Sequence, residues 1–468
     1  MNPLNNYYRI PEPWVSFSCK DTVGSENGFF TFGEDVVCFG RCSTAPVSRT
    51  LKFPLPDLFK QALPGKNSVT LPFDLDDVVT NLQRERYVSA MAMSRLQRSF
   101  RNIYYRLRPR LGVRVRKYLQ RAYLSGWEKI PFPRWPVDRS VDRLMERALA
   151  LGLKASGADC LPFIWFWPEG QASCCIVTHD VETGAGRDFC STLMDLDEAC
   201  GMRSAFQVVP ELRYQVPSEF LDTIRQRGFE LNVHDLNHDG MLFSDEKTFM
   251  QRVAAINRYG KEYRARGFRS GVMYRNQDWY HALDFEYDMS VPNVAHLEPQ
   301  RGGCSTIMPY FIGKVLELPL TTTQDYTLFH ILGSRSLNIW KREIEAVHSK
   351  HGLISILTHP DYLLEKWAQD IYLQLLRHIA DRAEQDNIWL ATPAEVNDWW
   401  RIRNKLSLVQ GNGQWLIVGK GSVRARIAYA YLDGNDVRYS FEPPIKKKTG
   451  SLTVLKPAGS VQLPVINN

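Results

Sequence analysis

In the middle of the chain, between about residues 170 and 402, segments with the hydrophobic pattern of strands alternate with segments that have the hydrophobic pattern of helices. Short apolar runs typical of buried strands end at seven positions: Val177, Val209, Val233, Gly271, Val291, Leu318 and Leu357. Between several of these runs, apolar residues recur every three or four positions, which predicts helices over 189–201, 217–227, 245–266, 339–351 and 367–385. Alternating strand and helix patterns predict an α/β fold with a parallel sheet or a β/α barrel.

The two flanking regions have different patterns. Towards the N-terminus, β-like runs precede a basic stretch and then a helical pattern over 137–154. Towards the C-terminus, alternating apolar runs are separated by the turn sequences Gly411-Asn412-Gly413 and Asp433-Gly434-Asn435, which predict β-hairpins. We therefore expect three parts: a mixed N-terminal region at 1–150, a β/α barrel at 151–402 and a small β domain at 403–468.

Composition is that of an ordinary globular protein. The chain has 468 residues, of which 44% are hydrophobic and 23% are charged. Its nine cysteines are odd in number and form no CxxC pair, which argues against a secreted disulfide framework and for a reducing compartment. The first residues lack the basic and apolar segments of a secretory signal, and no apolar run is long enough to span a bilayer. We expect a cytoplasmic protein.

The net charge of +7 is concentrated in one segment. No acidic residue occurs between Arg86 and Trp127, and within 93–121 basic residues alternate with apolar residues at helical spacing. A basic amphipathic helix can lie on an anionic membrane surface, contact an anionic glycolipid or bind nucleic acid. It can also be the solvated face of a linking helix. Nucleic acid is the least favoured partner, and peripheral attachment to the inner membrane surface stays open.

Ionisable side chains follow four of the predicted strands at the point where each strand ends. They are His179, Asp180 and Glu182 after the first, His234 and His238 after the third, Arg269 and Arg275 after Gly267-Phe268 of the fourth, and His359 after the last. In a β/α barrel, the C-terminal ends of the strands share one face, and active sites occupy that face. The sequence therefore predicts one common site.

The residue types at this predicted site suit a divalent metal. His234 and His238 are four residues apart, and on a helical turn such residues share one face. Together with one carboxylate they would form a two-histidine, one-carboxylate set with open positions for water and substrate. Asp180 and Glu182 are two apart, so in an extended segment they point the same way. One can bind the metal while the other remains free as a base.

These motifs resemble those of the polysaccharide deacetylases of carbohydrate esterase family four. Thr178-His179-Asp180-Val181-Glu182 stands in the place of the family's first motif, TFDDG, with Glu182 as the substitute for the metal aspartate that Val181 replaces. The His-x-x-x-His motif matches at His234 and His238. Arg269-Ser270-Gly271 matches the third motif in part, and Leu357-Thr358-His359 resembles the last. The resemblance covers about residues 170–400.

The resemblance implies a distorted β/α barrel that removes N- or O-acetyl groups from a sugar or glycan, in cell-surface polysaccharide metabolism. It implies a divalent metal, with zinc favoured, held by Glu182, His234 and His238. Asp180 would be the base that activates water, Arg269 would hold Asp180 in place, and His359 would protonate the leaving group.

Several assignments stay open. Tyr274 and Trp279 could form a sugar platform or belong to the core. His179 could pack at the strand end or act as an extra ligand, and Asp361 could orient a histidine or stabilise a turn. Val181 and Gly271 also suit a catalytically inactive deacetylase-like protein that binds glycan or lipid-linked sugar. A third alternative is a metal-dependent hydrolase of another amide or a phosphoester.

Overall fold

The structure is a computed structural model that describes residues 3–19, 24–43, 47–91, 119 and 121–444. Its helices are α1 (Pro3–Tyr8), α2 (Leu75–Gln83), α3 (Ser140–Ser156), α4 (Gly184–Ala199), α5 (Ser218–Gln226), α6 (Glu246–Glu262), α7 (Asn338–His348), α8 (Lys366–Asp386) and α9 (Pro393–Lys405). The predicted basic helix over 93–121 lies outside the described residues, apart from positions 119 and 121.

The strands before the central sheet are β1 (Ser16–Cys19), β2 (Gly28–Thr31), β3 (Val37–Gly40), β4 (Leu63–Gly65), β5 (Ser68–Leu71) and β6 (Cys160–Ile164). Those of the central sheet are β7 (Ser173–Val181), β8 (Ala205–Val208), β9 (Glu230–His234), β10 (Gly267–Arg269), β11 (Tyr287–Asp288), β12 (Tyr310–Ile312), β13 (Val315–Glu317), β14 (Leu353–Thr358) and β15 (Ile388–Leu390). The last four are β16 (Ser407–Gly411), β17 (Gln414–Val418), β18 (Ile427–Asp433) and β19 (Asp436–Ser440).

The central sheet has nine strands in the order β12-β13-β11-β10-β9-β8-β7-β14, with β15 paired to β7. All pairs are parallel except β12 with β13. Because no strand among the described residues joins β12 to β14, the described barrel is open on one side. The prediction of an α/β fold with a distorted β/α barrel is confirmed, and the parallel strands bring their C-terminal ends to one face.

Amphipathic helices cover the outside of the sheet. In α6, for example, Phe249, Val253 and Ile256 recur at helical spacing and are all buried in an apolar cluster with residues of β8, β9 and β14. The helix begins where the Asp245 side chain accepts a hydrogen bond from the Thr248 N–H. Each helix thus returns the chain to the start of the next strand and leaves the strand ends free for chemistry.

The flanking regions pack together around a second apolar cluster. In the N-terminal region, β1, β5 and β4 form a three-stranded sheet, and β2 pairs with β3. The C-terminal strands β18 and β19 share a three-stranded sheet with β6, which precedes the barrel. The apolar cluster contains residues from α2, α3, β6 and β18. The predicted domain limits at 150/151 and 402/403 stay predictions.

All nine cysteines lie within the described residues and are free. Among the described residues, no helix combines the length and hydropathy that a membrane crossing requires.

Candidate metal centre

The C-terminal end of β7 supplies the first part of the site. Every residue of this strand is buried, and side chains alternate between its two sides, so His179 and Asp180 point in opposite directions. Asp180 lies opposite Gln207 of β8, and His179 lies opposite Thr358 of β14. Glu182 follows directly after the strand ends. The alternation therefore places Asp180 and Glu182 on one side, as the sequence predicted.

Glu182, His234 and His238 come together at the strand ends. The Glu182 Oε1 atom lies 3.0 Å from His238 Nε2 and 3.9 Å from His234 Nε2. One ligand atom from each of the three side chains lies within 4.8 Å of the other two. Burial would raise the pKa of Glu182, but the neighbouring imidazoles of His238 and His234 outweigh it and hold that pKa well below its usual value. The carboxylate is ionised and able to bind a cation.

The segment that carries the two histidines is not helical, so the predicted helical turn is wrong. His234 is the last residue of β9, and the chain then bends at Asp235 and His238, which have positive φ values of 56° and 52°. The two imidazole rings nevertheless lie 4.9 Å apart. Gly271 makes room for this bend, because a Cβ atom there would lie 2.3 Å from Asp235 Oδ2 and 2.9 Å from His238 Cδ2.

The donor atoms fit a divalent metal. His234 Nε2 and both ring nitrogens of His238 are buried and have no hydrogen-bond partner among the described residues. The other ring nitrogen of His234, Nδ1, lies 3.1 Å from the carbonyl oxygen of Arg269, which fixes the orientation of the ring. Buried polar atoms without partners are costly. Two imidazole nitrogens and a carboxylate oxygen that converge in this way are the ligands that zinc and related ions prefer.

Asp180 is held by a buried arginine. Arg269 Nη1 donates to Asp180 Oδ1 and to Thr178 Oγ1, both at 2.9 Å. The other carboxylate oxygen, Oδ2, lies 3.6 Å from His234 Nε2. Burial would raise the pKa of Asp180, but the charges of Arg269, His234 and His359 together lower it. Asp180 is thus an ionised carboxylate beside the proposed ligands, with one oxygen fixed by Arg269.

His359 is held by Asp325, a residue that the motifs in the sequence did not indicate. His359 Nδ1 lies 2.6 Å from Asp325 Oδ1, and the His359 backbone N–H donates to Asp325 Oδ2 at 2.8 Å. The opposite ring nitrogen, Nε2, lies 3.6 Å from Glu182 Oε1. Burial would lower the pKa of His359, but Asp325 and the other carboxylates raise it to about 10. Asp325 follows the predicted strand that ends at Leu318, and a search for polar residues after that strand would have found it.

His179 belongs to a separate buried cluster. Its Nδ1 lies 2.9 Å from Thr358 Oγ1, and its Nε2 lies 3.0 Å from Asp197 Oδ2. Tyr372 donates to the other oxygen of Asp197. Both ring nitrogens are therefore occupied, which favours the interpretation of His179 as strand-end packing.

Asp361 has a turn role. Its carboxylate accepts hydrogen bonds from the Thr183 hydroxyl and from the Glu182 backbone N–H, the latter at 3.3 Å. The Thr183 hydroxyl in turn accepts from the Gly186 N–H at the start of α4. Asp361 therefore fixes the segment that presents Glu182.

The two aromatic residues predicted to bind sugar have different surroundings. Trp279 packs into the apolar layer of α6, where its ring lies 6.0 Å from that of Phe243 and 5.6 Å from that of Phe249. Tyr274 is buried in the segment after β10, one residue beyond Met273, which contacts Leu357 near the strand ends. Substrate binding by Tyr274 and Trp279 stays a prediction.

No protein-family model matches the chain, and no curated protein matches its sequence. Several solved structures do match. A protein described as a polysaccharide deacetylase from Mycobacterium smegmatis has a TM-score of 0.43 and 16% identity, over 54% of this chain and 98% of that one. The allantoinase Puue has a TM-score of 0.39 and 12% identity, over 50% of this chain and 92% of that one.

A third match is the peptidoglycan deacetylase PdaC from Bacillus subtilis, with a TM-score of 0.33 and 14% identity, over 50% of this chain and 94% of that one. Polysaccharide deacetylases, the class that the sequence motifs resemble, thus recur among the matching structures. Identities and TM-scores this low do not carry a substrate, a metal or an activity over to this chain.

Proposed function

We propose that this protein is a metal-dependent hydrolase that removes N- or O-acetyl groups from a sugar or glycan. The observation that carries the proposal is the convergence of Glu182, His234 and His238 at the strand ends, with Asp180 Oδ2 3.6 Å from His234 Nε2 and His359 Nε2 3.6 Å from Glu182 Oε1. This arrangement combines a base, an acid and a ligand set in one place, as hydrolysis of an acyl bond requires.

A divalent ion, with zinc as our proposal, would be held by Glu182, His234 and His238 and would supply Lewis acidity at the acyl oxygen. Asp180 would take the proton from the attacking water. Its lowered pKa keeps it ionised, and the hydrogen bond from Arg269 leaves its Oδ2 as the oxygen that faces His234. Arg269 therefore acts as a positioning residue, since it fixes which oxygen of Asp180 is available.

His359 would give its proton to the departing nitrogen or oxygen. Asp325 occupies Nδ1, so the proton that can be delivered is the one on Nε2, which faces Glu182. The pKa of about 10 means that the imidazole is protonated at neutral pH. Asp325 thus sets both the orientation and the charge of the proposed acid.

Val181 and Gly271, the two residues that also suit an inactive binding protein, both have structural roles beside the proposed ligands. Val181 is fully buried, and Glu182, one residue later, meets the two histidines. Gly271 leaves the space that Asp235 and His238 occupy, and its N–H donates to Asp235 Oδ2 at 3.1 Å. Both departures from the family pattern are therefore compatible with an active site.

The experiment that tests the proposal is acetate release by the zinc-supplemented protein from N-acetylglucosamine oligomers and from acetylated xylan. The Asp180→Asn chain is the control, and 4-nitrophenyl phosphate tests the phosphoester alternative. We expect acetate release by the wild-type chain and a loss of about 10²- to 10⁴-fold in the variant. Binding of the oligomers without acetate release would instead support the inactive glycan-binding protein, and phosphate release alone would support the phosphoester hydrolase.

A further inference from the structure

The strand β8 supplies none of the site residues predicted from the sequence, yet the loop that follows it contacts both segments that carry the proposed metal ligands. We call this loop, residues 209–217, the β8 loop. The Glu211 N–H donates to the Leu236 carbonyl oxygen at 3.0 Å, in the segment after β9. Further along the loop, Arg213 Nε donates to the Glu182 carbonyl oxygen at 2.9 Å, in the segment after β7. The β8 loop therefore connects the two ligand-carrying segments.

The hydroxyl of Tyr214, in the β8 loop, lies at the point where β7 and β8 separate. Val181 pairs with Val208 at the last step of this parallel ladder, so the Val209 N–H is the next donor along β8 that could reach the Val181 carbonyl oxygen. Instead, the Val209 N–H donates to Tyr214 Oη at 3.1 Å, and Tyr214 Oη donates to the Val181 carbonyl oxygen at 2.7 Å. The hydroxyl is thus inserted between the two strands directly before Glu182.

Packing and hydrogen bonds hold the Tyr214 hydroxyl in this position. The Tyr214 ring packs against the apolar cluster that contains Val181 and Val208. At the start of the loop, Tyr259 of α6 donates to Glu211 Oε1 at 3.0 Å. Burial raises the pKa of Tyr214 well above its usual value, so the hydroxyl keeps its proton and remains a donor to the Val181 carbonyl oxygen. The hydroxyl is therefore a fixed spacer between the ends of the two strands.

We propose that Tyr214 is a positioning residue of the candidate metal centre, because its hydroxyl holds the ends of β7 and β8 apart and so sets the distance between the Glu182 carboxylate and the two imidazoles. Without the hydroxyl, a backbone carbonyl oxygen and an N–H would be free to bond directly across the two strands, which would draw the chain before Glu182 towards β8. Groups that orient a metal ligand typically contribute about ten- to a hundredfold to metal affinity. This inference rests on the proposed function, since it requires Glu182, His234 and His238 to bind the metal.

The test is the zinc affinity of the full chain, measured by competition with a chromogenic chelator. Tyr214→Phe removes only the hydroxyl. Tyr372→Phe is the matched control, because it removes a buried hydroxyl that donates to Asp197 in the separate His179 cluster. We expect Tyr214→Phe to bind zinc about ten- to a hundredfold more weakly than the wild type, and Tyr372→Phe to bind it as the wild type does. Thermal unfolding of the metal-free chains checks that both variants are folded.

A second pair of chains tests whether Tyr214 acts through Glu182. In the Glu182→Ala background, Tyr214→Phe should change the residual zinc affinity by less than about twofold, because the side chain that Tyr214 positions is absent. A full loss in that background, an equal loss in Tyr372→Phe, or wild-type affinity in Tyr214→Phe would overturn the role of Tyr214 and leave the proposed function in place. A wild-type chain that binds no zinc would overturn both, so the two proposals can be told apart.

Discussion

His179 and His234 are both buried histidines near the ends of strands in one sheet, yet their surroundings differ. The two ring nitrogens of His179 lie within hydrogen-bonding distance of Thr358 and Asp197. In His234, the Arg269 carbonyl oxygen occupies Nδ1, while Nε2 has no hydrogen-bond partner among the described residues and faces the carboxylates of Asp180 and Glu182. A histidine whose two ring nitrogens both have hydrogen-bond partners within the chain has no nitrogen left to bind a metal. A histidine with one buried nitrogen that lacks such a partner, beside carboxylates, can bind a metal through that nitrogen.

Proximity along the chain does not decide which of the two histidines joins the site. His179 is adjacent to Asp180 in the chain, but strand alternation turns it to the opposite side of the sheet. His234 lies more than fifty residues away and meets Asp180 directly. The contact between His234 and Asp180 is set by the parallel pairing of β7, β8 and β9.

The largest effect is expected from removal of one of the three proposed metal ligands. His238→Ala should lose the metal and lower acetate release by about a thousandfold or more, because Lewis-acid assistance contributes several kcal/mol to such reactions. Tyr372→Phe, in the His179 cluster, should keep its metal. Elemental analysis together with acetate release measures both. Equal metal loss in the two variants would mean that general destabilisation, and not ligand removal, is responsible.

Asp180→Asn should be the next most damaging change. We expect kcat to fall by about 10²- to 10⁴-fold because the base is removed, while the metal content stays near that of the wild type. Measuring kcat and metal content on the same sample distinguishes a role of Asp180 as the base from a role as a metal ligand. A variant that loses its metal would make Asp180 a ligand and would leave the base unassigned.

Two buried aspartates that each hold a histidine allow a matched test. Asp325→Asn should lower kcat by about a hundredfold, because His359 would lose its orienting and charge-stabilising partner. The fold should persist, as checked by circular dichroism. If kcat is unchanged, His359 is not the acid.

Asp197→Asn should instead affect stability. Asp197 accepts hydrogen bonds from Ser204 and Tyr372 and lies beside His179 Nε2. We expect a loss of about 2 kcal/mol in the free energy of unfolding, with kcat per folded molecule unchanged. Urea denaturation and active-site titration measure the two quantities. A large fall in kcat would connect the His179 cluster to catalysis after all.

The smallest effect is expected from Glu343, a buried carboxyl with no imidazole beside it. Burial raises its pKa from 4.5 to about 8, whereas the imidazoles lower that of Glu182. Between about pH 4.5 and pH 8, the folded chain therefore keeps a proton on Glu343 that the unfolded chain has released. The contribution of Glu343 to stability is complete below about pH 4.5 and is lost as pH rises through about 8. Glu343→Gln should reduce the fall in melting temperature between pH 5 and pH 9. An unchanged fall would show that Glu343 does not titrate in this range.

The sequence predicted the alternation of strands and helices along the chain and most residues of the candidate site. Apolar runs identified the strands, and the polar residues after them identified Asp180, Glu182, His234, His238, Arg269 and His359. The sequence did not predict contacts between residues that are distant along the chain. The partner of His359 is Asp325, 34 residues away, and the bend that joins the two histidines depends on the missing side chain of Gly271. Asp325 itself could have been found as a polar residue after the strand that ends at Leu318, but its pairing with His359 and the bend at Gly271 have no local periodicity that would predict them.

The most direct test of the proposed metal centre is elemental analysis of the purified wild-type chain and of Glu182→Ala, after exposure to zinc and removal of unbound metal. We expect about one divalent ion per wild-type chain and none in the variant. A wild-type chain without stoichiometric metal, or a variant that retains it, would contradict the assignment of Glu182, His234 and His238 as the ligands.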